Sequence, residues 1–96
     1  MGHDVLRFRE TTNPSLSEHD VGIGNIVYRD LPDEKGVVAR RISAVLSIYD
    51  PVTNESRWET VIEGSVVTIG TDRYCVVKIE PGQRSPGWVS LQTLAP

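Results

Sequence analysis

A tight β-hairpin is the strongest signal in this sequence, in the run of residues 64–79. β-branched and aromatic residues, which favour strands, make up residues 66–69 and most of residues 74–79. Between them lie Gly70, which accepts a positive φ, and Asp72, which can bond its own backbone. Any fold for this chain has to accommodate two short antiparallel strands joined by a turn.

Alternation within this hairpin predicts which of its residues face the core. The opposite face of the second strand ends in Lys78 and Glu80, as expected of a surface in contact with solvent. The predicted core positions of the hairpin are Val67, Ile69, Cys75, Val77 and Ile79.

The remaining chain repeats this pattern of short strands and turns. Ser15 and Glu18 have the spacing of a capping box, but only Leu16 could anchor a helix there, which predicts at most one helical turn. Gly22 and Gly24 lie inside an apolar run and predict a strand with a bulge. Further strands are predicted over residues 5–9 (an edge strand), 21–29, 37–49, 57–63 and 88–94.

The phase of residues 57–63 is predicted from the same alternation. Trp58, Thr60 and Ile62 share one face, which we expect to point to the core. The other face then carries Val61 among charged residues and is expected to be solvated.

The predicted fold class is all-β, a small antiparallel barrel or sandwich of about six strands within a single domain of residues 1–96. The turn, strand, turn and strand of residues 64–67 and 74–79 resemble those of SH3-like barrels, over roughly residues 60–92. That resemblance implies a barrel fold. It also implies that aromatic side chains at the rims of loops form peptide-binding grooves.

Composition restricts the function and the compartment. The net charge of −3 argues against binding to nucleic-acid phosphates. Cys75 is the only cysteine, which excludes an internal disulfide and favours a reducing cytoplasm. The amino-terminal segment has no apolar signal core and no run approaches 18 apolar residues, so neither a signal peptide nor a membrane span is predicted.

No catalytic, metal or cofactor motif is predicted, and we expect a protein that is not an enzyme. His3 precedes Asp4 and His19 precedes Asp20, but neither spacing matches a zinc pattern and both pairs are interpreted as solvated loop residues. Cys75 lies in an apolar strand without a local activating residue and is interpreted as a buried, inert thiol.

The two tryptophans are the most informative candidates for a binding surface, because Trp, Tyr and Arg dominate interface energetics. Either could instead fill the core; we predict Trp88 as the surface anchor and Trp58 as the core residue. The predicted surface combines the loop of residues 81–88 with the turn of residues 50–57. Its candidate partner-binding residues are Trp88, Arg84, Trp58, Tyr49, Glu55 and Glu59.

The leading functional hypothesis is a cytoplasmic protein-binding domain whose partner is another protein, which the mildly acidic composition allows to be basic. One version is a small acidic inhibitor of the bacterial immunity or anti-defence type, with its electrostatics carried by Glu55, Glu59, Glu63 and Asp72. The alternative is a small barrel associated with nucleic acid, using Arg7, Arg9, Arg40 and Arg41 with the aromatic side chains. An unpaired edge strand would also allow a homodimer.

Overall fold

The computed structural model describes residues 5–83 and 86–94. These residues form two antiparallel four-stranded sheets, one of them curled into a half-barrel, which confirms the predicted all-β class. The strands, in chain order, are β1 (Val5–Arg9), β2 (Ser15–Leu16), β3 (His19–Pro32), β4 (Val38–Asp50), β5 (Glu55–Ile62), β6 (Val66–Ile69), β7 (Asp72–Glu80) and β8 (Trp88–Thr93). None of the described segments is a helix long and apolar enough to cross a membrane.

Sheet I has the strand order β1-β8-β7-β6, and sheet II has the order β2-β3-β4-β5. β1 is an edge strand, as predicted, and the tight β6–β7 hairpin is present, with Ile69 opposite Asp72. Gly70 has a φ of +64° at the first position of its two-residue loop, the geometry that a type II′ turn requires.

The apolar core lies between the sheets, and each sheet contributes alternate residues to it. Sheet I provides Val67, Ile69, Tyr74, Val76, Ile79, Val89 and Leu91. Sheet II provides Leu16, Val21, Ile23, Ala44, Leu46, Ile48 and Val61. Burial of a side chain of this size stabilises the fold by about 1.5–3 kcal/mol, so these residues supply the main driving force.

The structure has eight strands rather than about six, and no helical turn among the described residues. The predicted capping box is instead a two-residue β-turn, in which Ser17 and Glu18 have φ values of 48° and 63°. Positive φ at both positions allows Leu16 to pair with His19 across the turn. The hydroxyl and carboxylate therefore mark a hairpin and not a helix start.

The predicted core phase of β7 is wrong over its first half. Tyr74 and Val76 are buried, whereas Cys75 is half-buried and Val77 is 39 % exposed. A bulge between Val76 and Lys78 adds one residue to the strand, so the buried face changes from even to odd positions before Ile79. Strict alternation counted back from Ile79 therefore assigned the wrong residues.

The predicted phase of β5 is also wrong. Trp58 is 71 % exposed and Val61 is 2 % exposed. The register with β4 explains this, because Val61 lies opposite the buried Ala44, while Trp58 lies opposite Ser47 on the other face. The predicted bulge near the glycines of β3 is confirmed, between Gly24 and Val27.

A single carboxylate joins the two sheets beside this bulge. Glu10, which follows β1, accepts hydrogen bonds from the backbone N–H groups of Ile26 at 3.1 Å and Gly87 at 3.2 Å. It thereby satisfies the irregular backbone of the β3 bulge and of the β7–β8 loop together.

Candidate functional site

The candidate site is the outer face of sheet II, which we call the Trp58 face. Residues opposite one another in an antiparallel sheet share a face, so the register identifies its members. Three successive rows across β3, β4 and β5 contain no charged residue. These rows are Gly22–Ser47–Trp58, Gly24–Val45–Thr60 and Val27–Ser43–Ile62.

Tyr49 and Asp20 complete the Trp58 face at one end. Tyr49 lies opposite Ser56, one step along the same face from Trp58, and its hydroxyl hydrogen-bonds to Asn54 Oδ1 at 2.7 Å. This bond holds the phenol ring toward the β4–β5 turn. The structure therefore brings together two of the predicted binding residues, Trp58 and Tyr49.

A groove runs along the Trp58 face between the indole and residues 11–13, with a volume of about 270 Å³. Its floor is low because β3 has two glycines at this point. A Cβ atom on Gly22 would overlap the hydroxyl of Ser47, whereas a Cβ on Gly24 would meet no atom within 4 Å. The space above Gly24 is therefore open to a ligand.

The groove is lined by uncharged hydrogen-bonding side chains around the exposed indole. Asn13, Asn25 and Ser47 contribute amide and hydroxyl groups. Asn25 has a φ of 51°, in the left-handed region that asparagine tolerates, where the β3 bulge begins. This arrangement suits contacts through an aromatic surface and neutral hydrogen bonds rather than ion pairs.

Trp88 lies in a different environment, on the outer face of sheet I. It is half-buried, and the guanidinium carbon of Arg7 lies 4.0 Å from the centre of its ring. Arg7 is in turn held by Glu80, at 3.2 Å from Nε to Oε2. The predicted surface anchor is thus covered by an ion pair of the protein itself, and its predicted neighbour Arg84 lies outside the described residues.

The two loops that were predicted to form one surface are at opposite ends of sheet I. Arg57 donates a hydrogen bond to the carbonyl of Thr68, which places the β4–β5 turn beside the start of β7. The β7–β8 loop follows the other end of β7, nine residues later. At about 3.3 Å per residue this separation is roughly 30 Å, so one compact interface does not include both loops.

Glu55 and Glu59 lie on the face of β5 opposite to Trp58. Glu59 is bonded to Arg57 at 2.9 Å. Glu63 accepts a hydrogen bond from the N–H of Ile79 at 2.9 Å, and Asp72 accepts one from the hydroxyl of Ser17. Three of the four predicted acidic contacts are therefore engaged within the molecule.

His19 pairs with Asp50 instead of the neighbouring Asp20. Its Nε2 is 3.4 Å from Asp50 Oδ2, and its Nδ1 is 2.7 Å from the carbonyl oxygen of Ser17. The backbone N–H of Val52, with further contributions from Thr53 and His19, holds the pKa of Asp50 below its usual value. These contacts join two turns, and the described residues contain no group of three or more metal-ligating side chains. His3 and Asp4 lie outside the described residues.

The sequence signal for the Trp58 face was present but was interpreted in the wrong phase. Gly22, Gly24 and Ser47 are small residues on one face of adjacent strands, and small residues opposite an aromatic residue leave a groove. Comparison of the chain with protein-family models, with curated proteins and with solved structures gives no match.

Proposed function

We propose that this protein is a non-enzymatic protein-binding domain that contacts its partner through the Trp58 face. The observation that carries the proposal is the 71 % exposure of Trp58, which lies on edge strand β5 in the first of three uncharged rows. Burial of a large exposed apolar side chain by a partner makes a large favourable contribution to the binding free energy. Tryptophan is among the residues that most often dominate that energy. The single cysteine supports a cytoplasmic location for this activity.

The charge distribution favours a contact of neutral character. The open part of the Trp58 face has polar but uncharged side chains around the indole, while Glu59, Glu63 and Asp72 are engaged within the molecule. An inhibitor acting through those carboxylates would associate more slowly as salt increases. Binding through the Trp58 face is expected to change little with salt, because few charges are paired across the interface.

A photo-crosslinking amino acid placed at position 58, in cells of the native host, tests the proposal. We expect a discrete crosslinked protein band that persists after nuclease treatment. Matched positions are Trp88, which the protein covers itself, and Val52, which is 85 % exposed in a turn. Neither control is expected to give the same band.

A second variant separates partner binding from folding. Gly24→Val fills the open floor of the groove in a strand interior, where a β-branched residue is favoured. We expect unchanged thermal stability together with loss of the crosslink at position 58. Equal crosslinking at positions 58 and 52 would overturn the proposal, and nuclease-sensitive crosslinks would establish the nucleic-acid alternative.

A further inference from the structure

In sheet II, part of β4 is paired with a neighbouring strand on one side only. β4 pairs with β5 only from Ser43 onward, so residues 38–42 of β4 have β3 on one side and no other described strand on the opposite side. Together with the end of β3, this segment forms an arm, residues 28–42, that extends past the ends of β2 and β5. An unpaired strand of this kind presents free backbone donors and acceptors.

The hydrogen-bond pattern shows which groups are free. The N–H of Asp33 bonds the carbonyl of Val37 at 3.0 Å, which makes these residues a hydrogen-bonded pair. Because such pairs alternate along an antiparallel ladder, Val38 and Arg40 belong to non-hydrogen-bonded pairs. Their N–H and C=O groups therefore point away from β3, toward the open edge.

A notch lies beside this edge. β5 gives way to a turn at Gly64, whose φ is +95°, and the chain leaves the line that β5 would have continued. The resulting cavity is about 800 Å³, within the range of roughly 300–1,000 Å³ typical of ligand sites. Its lining combines apolar and charged side chains. The apolar residues are Leu31, Pro32, Ile62 and Val66, and the charged residues are Asp33, Glu34, Lys35, Arg41 and Glu63.

Exposed apolar side chains are concentrated around the same place. Of the nine large hydrophobic residues that are exposed in the described chain, three lie on the arm and a fourth lines the notch. These four residues are Tyr28, Val37, Val38 and Val66.

The charges of the edge indicate what kind of strand would pair with it. Residues 37–42 include two arginines and no acidic residue. Arg41 is already paired with Asp33 at 3.6 Å. Arg40 is exposed and lies 5.8 Å from the ring centre of Tyr28. Asp30 lies opposite Arg40 on β3, but no carboxylate oxygen of the described residues is within 4.0 Å of the guanidinium.

We propose that the open edge of β4 accepts an extended acidic segment of a partner protein as an added strand of sheet II. The free groups of Val38 and Arg40 form the backbone ladder, and an Asp or Glu of the segment pairs with Arg40. A second copy of this chain is a poor occupant, because residues 37–42 offer no carboxylate to Arg40 in a two-fold pairing of β4 edges, whether Arg40 lies opposite itself or opposite Val38. The site does not depend on the Trp58 face.

A displayed library of random linear eight-residue peptides, selected against the full chain, tests this site. We expect enriched sequences that alternate β-branched residues with Asp or Glu. Val38→Pro removes the edge N–H without removing a bond to β3, and is expected to weaken peptide binding at least tenfold. Val38→Ala keeps the N–H and is expected to retain binding, as is Trp58→Ala.

Hydrogen exchange at the Arg40 amide keeps the test decisive if Val38→Pro alters folding. An enriched peptide is expected to protect this amide in the unmodified chain. Absence of enriched peptides, enrichment of basic sequences, or binding that leaves the Arg40 amide unprotected would each overturn the proposal. A dimer in analytical ultracentrifugation that Val38→Pro dissociates would assign the edge to a second copy and overturn it as well.

Discussion

The outer face of each sheet carries one tryptophan, and the two side chains differ in how far they are covered by the protein. On sheet I, Trp88 is half-buried beneath Arg7, which Glu80 holds in place. On sheet II, Trp58 is 71 % exposed, and its cross-strand neighbours are Ser47 and glycine. The same residue type is therefore part of the fold in one sheet and available to a partner in the other.

This difference shows that the neighbours across the strands, and not the proximity of a loop, decide whether an aromatic residue is available. Trp88 follows a loop rich in proline and glycine, yet long side chains on the adjacent strands reach over it. Trp58 lies inside a strand, yet small residues on β3 and β4 leave it uncovered. Stability variants can test the contrast directly.

The largest effect on stability is expected when a methyl group is added at one glycine near each tryptophan. A Cβ on Gly87, beside Trp88, would overlap the carbonyl oxygen of Glu80 and lie 3.0 Å from the backbone nitrogen of Gly82. Gly87→Ala is therefore expected to reduce the free energy of unfolding by about 3 kcal/mol, the upper end for overpacking. Gly24→Ala meets open space and is expected to have no destabilising effect.

Urea unfolding of both glycine variants measures this difference. Equal stabilities would show that the β7–β8 loop can shift to accept a side chain, and would remove the contrast between the sheets.

Truncation of each tryptophan is expected to give the next largest difference. Trp88→Ala removes a half-buried ring and its stacking with Arg7, which we expect to reduce the free energy of unfolding by about 1–2 kcal/mol. Trp58→Ala removes an exposed ring and is expected to change it by no more than about 0.5 kcal/mol.

Chemical denaturation monitored by far-ultraviolet circular dichroism checks both values, since it does not rely on the tryptophan signal. A larger loss for Trp58→Ala than for Trp88→Ala would contradict the assignment of Trp58 to a partner surface.

Local sequence patterns predicted the strands well, because each pattern reflects the conformational preference of a few neighbouring residues. The β6–β7 hairpin follows from β-branched residues around Gly70, and the bulge of β3 follows from its glycines. The buried alternation of Ala44, Leu46 and Ile48 on β4 follows the period of two that is typical of a strand.

The candidate site could not be predicted in the same way, because it depends on register. Val77 was placed in the core because a one-residue bulge in β7 carries no distinctive sequence signal. Trp58 was placed in the core because both faces of its strand carry apolar residues. Only the pairing of Val61 with Ala44 shows which face is buried. The bonds from Glu10 to two distant backbone segments have no local signature either.

The smallest expected effect concerns pH and the two turns that end sheet II. The backbone N–H of Val37 is the main cause that lowers the pKa of Asp33, with Lys35 and Arg41 adding to it. The N–H of Val52 does the same for Asp50.

A lowered pKa means that the folded protein binds these protons more weakly than the unfolded chain. The two carboxylates therefore stabilise the fold fully above their ordinary pKa of 3.8, and this contribution is lost as the pH falls below that value. Nuclear magnetic resonance should show the amide shifts of Val37 and Val52 titrating with midpoints below 3.8. Asp33→Asn should abolish the titration at Val37 alone, and Asp50→Asn that at Val52 alone. Midpoints above 3.8 would mean that the backbone of these turns does not favour the ionised carboxylates. Protonation of Asp33 and Asp50 would then not destabilise the ends of sheet II.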